Sequence, residues 1–281
     1  MPEAVIRLGL IGDNIRQSQA PRLHQLAGRL CGLDVTYERL IPAELGLDFD
    51  AVLERCRGYR GINITYPYKE RVVAKLAIED PLVVAMAACN TVVFDSAPPR
   101  GFNTDYTGFI DAFRHTFGAT AKPGVTAIAG AGGAGKAVGF ALGQLGASRL
   151  TLFDPDRPRA EALAASVTAA FAGLAVEIAD SIEQAAAGAD GIVNCTPLGM
   201  AGHEGTAIPK SAIGGQHWAF DAVYTPLHTQ FMRDARAAGL SVMSGYELFF
   251  YQGVNAFRIF TGREVDHQAL RRELREPAEA L

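Results

Sequence analysis

The sequence predicts an α/β protein with two domains. Strand-like and helix-like runs alternate along the whole chain, which is typical of sheets covered by helices. One β-branched run, at residues 125–129, leads directly into a glycine-rich turn and a helix-like pattern. The chain has 281 residues, of which 49% are hydrophobic, and this is enough for two cores of medium size.

Each element follows from a local pattern. Strands are predicted where short β-branched or aromatic runs are bounded by turn residues, at residues 5–11, 35–40, 62–65, 91–94, 126–129, 149–153, 175–178, 191–194, 218–223 and 241–243. Helices are predicted where apolar residues recur with a period near 3.6, at residues 23–33, 50–56, 108–117, 134–145, 157–171, 228–238 and 248–261. Because strands and helices alternate, we expect the strands to pair in parallel.

The order of these elements also predicts the domain boundaries. The first domain is expected to cover residues 1–106 and to be completed by C-terminal helices at 246–281. The second is expected to cover residues 107–245, and a helix at 107–117 bridges the two. A cleft between two such domains is a usual place for a small-molecule site.

Composition limits the classes of partner. The formal charge of −4 and the isoelectric point near 5.9 argue against a nucleic-acid partner, which usually needs a basic surface. The four cysteines form no C-x-x-C pair and the six histidines show no ligand spacing, so no metal is expected. No signal peptide and no apolar run of about 18 residues are found, so we expect a cytoplasmic protein that is not in a membrane. It is expected to be a monomer or a homodimer.

The glycine-rich turn reads Gly130-Ala131-Gly132-Gly133-Ala134-Gly135, a G-x-G-x-x-G pattern. Its first glycine permits a tight turn, the second lets the backbone approach a pyrophosphate, and the third lets helix and strand pack closely. The helix N-terminus offers free N–H groups to the anion. The next strand ends at Asp154, close to the distance of roughly 20 residues expected for a ribose-binding acid. The pattern predicts a Rossmann-type dinucleotide-binding domain; alternatively, the turn only connects a strand to a helix.

Three polar clusters lie near predicted strand ends before residue 110. They are residues 18–24, residues 63–69, and residues 90–91 with 103–105. Amides, hydroxyls, one lysine and one aspartate are the groups that bind a polyhydroxylated small molecule. Taken singly, each residue is better explained as a cap or a turn residue. In that alternative, Lys69 is an exposed lysine in a helix that begins near Glu70. His24 is expected to pack or cap on the first helix.

Together, these motifs resemble the shikimate dehydrogenase family from about residue 8 to residue 260. The matching motifs are Gly61-Ile62-Asn63-Ile64-Thr65-Tyr66-Pro67-Tyr68-Lys69, Asn90-Thr91, Gly101-Phe102-Asn103-Thr104-Asp105, Gly130-Ala131-Gly132-Gly133-Ala134, Asn194-Cys195-Thr196-Pro197-Leu198-Gly199-Met200 and Asp221-Ala222-Val223-Tyr224-Thr225-Pro226. The resemblance implies reversible hydride transfer between NAD(P) and the C3 hydroxyl or ketone of shikimate or quinate.

The resemblance also implies a role for individual residues. Lys69 would be the catalytic lysine and Asp105 its partner carboxylate. Substrate-binding residues would be Ser18, Asn63, Thr65, Asn90, Tyr224 and Gln252. Cofactor-binding residues would be Gly130, Gly132, Gly133, Ala134, Asp154, Arg159, Thr196, Met200, Val223 and Gly245.

Two departures from the family pattern affect the expected substrate. The family usually has two hydroxyl residues at the carboxylate site. Here the corresponding positions hold Ser18 and Ala20, and alanine has no hydroxyl. A hydrogen bond to a charged group contributes about 1.5–3 kcal/mol, so the missing donor predicts weaker carboxylate binding unless Gln17 or Gln19 compensates. Residues 246–248 are Tyr-Glu-Leu, where shikimate-specific relatives carry small residues and a methionine.

The segment after the strand at 149–153 bears on the cofactor. Asp154 is expected to accept from a ribose 2′-hydroxyl and to repel a 2′-phosphate, which favours NAD over NADP and resembles the NAD-preferring quinate/shikimate branch. Arg157 and Arg159 are the counter-evidence, since either can reach a phosphate. NAD suits catabolic oxidation, whereas NADPH suits biosynthesis of aromatic amino acids.

Three hypotheses therefore remain open at the level of sequence. The first is quinate/shikimate oxidoreduction, and the second is the same chemistry on a related polyol or an aminoshikimate-type substrate. The third is a dinucleotide-binding regulator without catalysis, against which the presence of both Lys69 and Asp105 argues.

Overall fold

The computed structural model describes residues 5–275 and divides the chain into two compact units. The first unit runs up to Thr104 and resumes at Gln252, and the second comprises Asp105–Tyr251. The domain boundaries expected after residues 106 and 245 stay predictions. The prediction of a two-domain α/β protein is confirmed.

Eleven strands and eleven α-helices are formed by the described residues. The strands are β1 Ile6–Ile11, β2 Val35–Leu40, β3 Gly61–Ile64, β4 Thr91–Val93, β5 Arg100–Phe102, β6 Val125–Ala129, β7 Arg149–Phe153, β8 Ala175–Ile178, β9 Gly191–Asn194, β10 Trp218–Asp221 and β11 Ser241–Ser244. The helices are α1 Ala20–Leu30, α2 Pro42–Leu45, α3 Phe49–Arg55, α4 Pro81–Met86, α5 Thr104–Phe117, α6 Gly133–Gln144, α7 Arg157–Ala170, α8 Ile182–Ala186, α9 Gln230–Ala237, α10 Gly245–Thr261 and α11 His267–Arg275.

The sheet of the first unit is mixed, with the strand order β2-β1-β3-β4-β5. Strands β1, β2 and β3 pair in parallel, but β4 pairs antiparallel to both β3 and β5. The prediction of parallel pairing throughout is therefore wrong in this unit. The segment between β4 and β5 is too short for a crossover, so only a hairpin connection is possible. Strand β5 contains only Arg100-Gly101-Phe102, which is too short for its alternation to be recognised.

The sheet of the second unit is fully parallel, with the order β11-β10-β9-β6-β7-β8. Counted within the unit, this is the doubly wound dinucleotide-binding order. The strand order reverses between β6 and β9, where ligands of such sheets bind beyond the carboxyl ends. Parallel pairing is confirmed in this unit.

Each unit has its own apolar core. In the first unit, residues from β1, β3, β4 and α3 pack together, with Phe49 and Ile62 at most 1% exposed. In the second unit, one face of the sheet is covered by α8 and α9 through small residues and Phe231. On this sheet, Phe109 of α5 makes an edge-to-face contact with Phe220, with ring centroids 5.0 Å apart.

Helix ends and short helices are the features that local patterns predicted least well. Helix α5 begins at Thr104 rather than at 108, and the short helices α2, α4 and α8 were not predicted. The alternative prediction of a helix that begins near Glu70 is wrong. The residues around Glu70 form turns, and these are followed by a single 3₁₀ turn at Val73–Lys75. No helix within residues 5–275 is long and apolar enough to cross a membrane.

Candidate functional site

The first unit contains a buried network of two asparagines and two threonines at the end of β3, the start of β4 and the start of α5. Asn63 donates from Nδ2 to Thr91 Oγ1 at 3.0 Å and to the Asn90 carbonyl at 3.2 Å. Asn90 Oδ1 accepts from Thr104 N at 2.7 Å and from Thr91 Oγ1 at 3.0 Å. All four side chains are at most 6% exposed. We call these residues the amide–threonine network.

Tyr37 of β2 fixes the orientation of one of these amides. Its hydroxyl donates to Asn63 Oδ1 at 2.9 Å, so the NH₂ group of Asn63 must face Asn90 and Thr91. The Tyr37 ring is stacked on His24, with centroids 4.8 Å apart. Tyr37 was not among the predicted site residues, because its partner is 26 positions away in the sequence.

The predicted substrate residues Asn63 and Asn90 therefore make most of their side-chain hydrogen bonds to other groups of the protein. Both hydrogens of Asn63 Nδ2 have internal acceptors, and Asn90 Oδ1 has several donors. This arrangement holds the end of β3 and Thr104 beside the start of β4. Thr65 directly follows β3, and Asp105 directly follows Thr104 of this network.

Ser18 lies in the segment between β1 and α1 and is half-buried. Its Oγ accepts from the backbone N–H of Ala20 at 3.2 Å, which leaves the hydroxyl hydrogen available to an acceptor. Arg39 donates to the Ser18 carbonyl at 2.7 Å. Ala20 is the first residue of α1 and contributes no hydroxyl. Thr65 lies beside this segment, because a Cβ on Gly12 would be only 2.3 Å from Thr65 Cγ2.

The two predicted catalytic residues lie on different units. Lys69 is half-buried in the turn after β3, and its carbonyl accepts from Cys89 N at 2.9 Å. Asp105 is the second residue of α5, where a negative charge is favoured by the helix dipole. Gln252 is half-buried in α10 and begins the returning part of the first unit. That Lys69 and Asp105 act on one substrate stays a prediction.

The glycine-rich turn of the second unit has the geometry of an anion cradle. Gly130 has a φ of +96°, which favours glycine, and a Cβ on Gly135 would lie 2.0 Å from the Gly130 carbonyl oxygen. Helix α6 begins at Gly133 with no side-chain cap and no acid in its first turn. Gly132 and Ala134 are half-buried beside it. A backbone N-terminus left open in this way fits the pyrophosphate of a dinucleotide.

Asp154 is tied to the same turn. One carboxylate oxygen accepts from Ala131 N at 2.8 Å and the other from Asp156 N at 2.9 Å. The carboxylate thus lies directly beside the glycine-rich turn, at the end of β7. Arg157 is bound to Asp180 at 2.7 Å, and Arg159 lies 3.8 Å from Asp156. Acidic neighbours therefore accompany both arginines that argue for a phosphate.

The remaining predicted cofactor residues lie beyond β9 and β10. Thr196 follows β9, and a Cβ on Gly130 would lie 2.9 Å from its Cγ2. Met200 is half-buried further along the same segment, Val223 is buried after β10, and Gly245 begins α10. Tyr224, predicted to contact substrate, is stacked on Phe249 with centroids 5.2 Å apart. The structure brings Gly130, Thr196, Val223 and Gly245 to the carboxyl edge of the second sheet.

Two buried residues between these segments were noticed only as members of motifs. Asn194 ends β9 and Asp221 ends β10, and both are 0% exposed. Asn194 donates to Asp221 at 2.9 Å. The sequence signal was the presence of polar residues at the ends of otherwise apolar strands, but it gave no indication that the two side chains pair.

Fold and site define an α/β protein that carries a doubly wound sheet of the dinucleotide-binding type. Residues 10–92 match the family model described as the shikimate dehydrogenase substrate binding domain. The chain is 38% identical over 274 residues to a quinate/shikimate dehydrogenase (NAD(+)) of Corynebacterium efficiens, covering 95% of this chain and 96% of the relative. It is 37% identical to a shikimate dehydrogenase (NADP(+)) of Pseudarthrobacter chlorophenolicus, covering 94% of this chain and 92% of the relative.

Solved structures agree with these relatives. Quinate dehydrogenase from Corynebacterium glutamicum in complex with NAD superposes with a TM-score of 0.87 at 36% identity, covering 96% of this chain and 98% of that one. Shikimate 5-dehydrogenase from Thermus thermophilus in complex with NADP(H) and shikimate gives 0.82 at 32% identity, covering 96% and 98%. The chain belongs to the shikimate dehydrogenase family of NAD(P)-dependent oxidoreductases.

Proposed function

We propose that this protein catalyses the reversible NAD-dependent oxidation of the C3 hydroxyl of quinate or shikimate. The observation that carries the proposal is the 38% identity to an NAD-dependent quinate/shikimate dehydrogenase across 95% of the chain. This match spans both the buried amide–threonine network of the first unit and the glycine-rich turn of the second. The residue roles implied by the family support the proposal, since Lys69 and Asp105 are both present.

The chemistry divides between a hydride and a proton. When bound, NAD accepts the hydride from the substrate carbon. The protein must remove the hydroxyl proton as the ketone forms, and Lys69 is the residue proposed to take it. Asp105 is proposed to bond the same hydroxyl and to orient the lysine. Thr65, Asn63 and Asn90 would bind or position the other hydroxyls, while Gln252 and Tyr224 complete the set.

The proposed preference for NAD rests on Asp154. Its carboxylate is held by two backbone N–H groups beside the pyrophosphate turn. A ribose 2′-hydroxyl can donate to this acceptor, whereas a 2′-phosphate would bring like charge against it. Arg157, the arginine nearest to Asp154 in the sequence, is paired with Asp180 and Glu161, so its guanidinium already has acidic partners other than a phosphate.

A second candidate function is the same reaction on a related polyol or amino-substituted analogue that makes less use of the carboxylate. The specific observation in its favour is Ala20, which leaves Ser18 as the one hydroxyl of the expected pair. Ser18 keeps its hydrogen available because its oxygen already accepts from Ala20 N. We therefore expect carboxylate substrates to bind, but more weakly than in relatives with two hydroxyl groups.

The test is a steady-state comparison of NAD and NADP with shikimate, quinate and their uncharged analogues. We expect the highest kcat/KM with NAD and a carboxylate substrate. Lys69→Ala should lower kcat by about 10²–10⁴, the range typical of a lost general base. Lys75→Ala is the matched control, since Lys75 lies a few residues further on and pairs with Asp50 at 3.3 Å; its kcat should be unchanged.

Two other outcomes of this comparison would contradict the first candidate function. Equal turnover of uncharged analogues would replace the first candidate by the second. Tight NADH binding without turnover of any substrate would indicate a regulator that lacks catalysis. A cytoplasmic location and a monomeric or homodimeric state stay predictions of the sequence.

A further inference from the structure

Asp221 is a fully buried carboxylate at the carboxyl edge of the second sheet, and the proposed reaction gives it no role. It ends β10 and lies opposite Asn194 in the last register position between β9 and β10. Asn194 in turn lies opposite Ala129, the residue before Gly130. The row Ala129, Asn194 and Asp221 thus stands directly before three segments that leave the sheet on the ligand side.

All partners of this carboxylate in the described part of the chain are neutral donors. Oδ1 accepts from Asn194 Nδ2 at 2.9 Å and from Val223 N at 3.0 Å. Oδ2 accepts from the Thr229 hydroxyl at 2.5 Å. Burial raises the pKa of Asp221, and these hydrogen bonds act in the opposite direction. An acid kept at such a desolvation cost must contribute something that a neutral apolar residue does not.

That contribution is the orientation of the Asn194 amide. Only the NH₂ end of an asparagine can donate to a carboxylate, so Asp221 fixes which way Asn194 faces. The carbonyl end of Asn194 then accepts from Thr196 N at 2.9 Å and Thr196 Oγ1 at 2.7 Å. The NH₂ end also reaches the Leu198 carbonyl at 3.2 Å. One carboxylate therefore sets the shape of the segment that leads to Met200.

Close packing leaves this arrangement little freedom. A Cβ on Gly245 would lie 2.6 Å from the Ala222 carbonyl oxygen and 2.8 Å from that of Asp221. A Cβ on Gly130 would lie 2.9 Å from Thr196 Cγ2. The segments carrying Thr196, Val223 and Gly245 are thus all held against Asp221 or its neighbours.

We propose that Asp221 is a positioning residue for the nicotinamide half of the cofactor: through Asn194 and Val223 it holds the segments after β9 and β10 in the conformation that binds this half. The inference rests on the proposed function. In a doubly wound sheet, the adenosine half is expected on the other side of the strand reversal, where Asp154 follows β7. Within residues 5–275, the carboxylate of Asp221 accepts from Asn194, Val223 and Thr229, and none of these lies on that side.

The experiment compares binding of NADH with binding of ADP, which carries only the adenosine and the pyrophosphate. Calorimetric titration of Asp221→Leu should show at least tenfold weaker NADH binding and ADP binding within about threefold of wild type. Asp221→Asn retains one oxygen for Asn194 and Val223, so both affinities should stay within about threefold. Thr229→Val removes the bond to Oδ2 and the N-cap bond that Thr229 Oγ1 accepts from Met232 N. Neither bond involves Asn194 or Val223, so NADH binding should stay within about threefold.

The outcomes separate the two proposals. Failure of the wild-type chain to bind NADH would overturn the proposed function and this inference with it. A wild type that binds NADH, with Asp221→Leu losing ADP and NADH equally or losing neither, would overturn the inference alone. If Asp221→Leu does not fold, Asn194→Ala cuts the same link from the other end; it should selectively weaken NADH, and an equal effect on ADP would contradict the proposal.

Discussion

His24 is a titratable side chain enclosed by aromatic rings. Its centroid lies 4.8 Å from that of Tyr37, 5.7 Å from Phe260 and 6.3 Å from Phe257. Its Nδ1 has no hydrogen-bond partner, and the residue is 1% exposed. Burial lowers the pKa of His24 to about 3, because the charged imidazolium cannot be solvated there, although Asn63 acts in the opposite direction.

This burial predicts a pH-dependent stability. Between pH 6.5 and about 3 the unfolded chain binds a proton at His24 that the folded chain does not bind. The stability associated with neutral His24 is complete above pH 6.5 and is lost as pH falls, by up to about 1.4 kcal/mol per pH unit. Urea unfolding of wild type and His24→Phe between pH 7.5 and 4.5 measures this, and the variant should show the smaller slope.

Parallel pH profiles of the two proteins would contradict that expectation. His24→Met serves as a second substitution without a titratable group, in case a third phenyl ring does not pack between Tyr37 and Phe257. Asp221, whose pKa is raised, is present in every protein compared and cancels in the difference.

The packing and hydrogen bonds of single residues depend partly on neighbours that are distant in the sequence. His24 was expected to pack or cap on the first helix, and it packs. Asn63 and Asn90 stand out in the sequence as polar residues at strand ends, and both are buried in the amide–threonine network. Their roles in substrate binding stay predictions. Tyr37, the partner of Asn63, and Asp221, the partner of Asn194, lie 26 and 27 positions away, so no local pattern connects these pairs.

Helix α6 shows the same limits at the level of an element. Its period and its glycine-rich start are visible in the sequence, and the observed Gly133–Gln144 differs from the predicted 134–145 by one residue at each end. What the pattern does not give is the spacing at each glycine. A Cβ on Gly135 would meet the Gly130 carbonyl at 2.0 Å, whereas one on Gly139 would meet only side chains at 3.7 Å or more.

These distances predict opposite effects of two alanine substitutions. Gly135→Ala must displace the glycine-rich turn, so we expect NADH binding to weaken at least tenfold and the melting temperature to fall. Gly139→Ala makes ordinary contacts and improves helix propensity, by up to about 1 kcal/mol. It should bind NADH like wild type and melt at the same or a higher temperature.

Calorimetric titration and thermal unfolding of both variants provide the measurement. Equal NADH affinities for the two variants would show that the close approach of α6 to Gly130 does not shape the binding turn.

Elements also reveal why parallel pairing was only partly predicted. The alternation of strands and helices correctly predicts parallel pairing in the second unit, where α-helices separate the strands except between β9 and β10. In the first unit, β4 and β5 are joined by a short turn, and β5 was too short to be detected. The antiparallel pairing of β4 and β5 follows from the short connection between them. Because β5 was not predicted, the sequence pattern does not show that this connection is short.

For the whole molecule, the division into two units predicts two separate ligand footprints. Hydrogen–deuterium exchange should slow on NADH binding within residues 129–135, 153–156, 194–200 and 221–224, all in the second unit. Shikimate or quinate should slow exchange mainly within residues 61–69 and 88–104 of the first. The physical reason is that a ligand stabilises the state to which it binds.

Protection by NADH confined to residues 61–104 would contradict the proposed roles of the two units. ADP is the control, because it should reproduce only the part of the footprint around the glycine-rich turn and Asp154.

The sequence by itself determined the α/β class, the glycine-rich turn with Asp154, and the polar residues at strand ends, since each depends on neighbours within a few positions. Only the tertiary structure decided the antiparallel edge of the first sheet, the hydrogen bond from Tyr37 to Asn63 and the burial of Asp221 against Asn194. These depend on which distant segments meet at a sheet edge. Burial then turns an ordinary polar residue into one whose hydrogen bonds must be satisfied inside the protein.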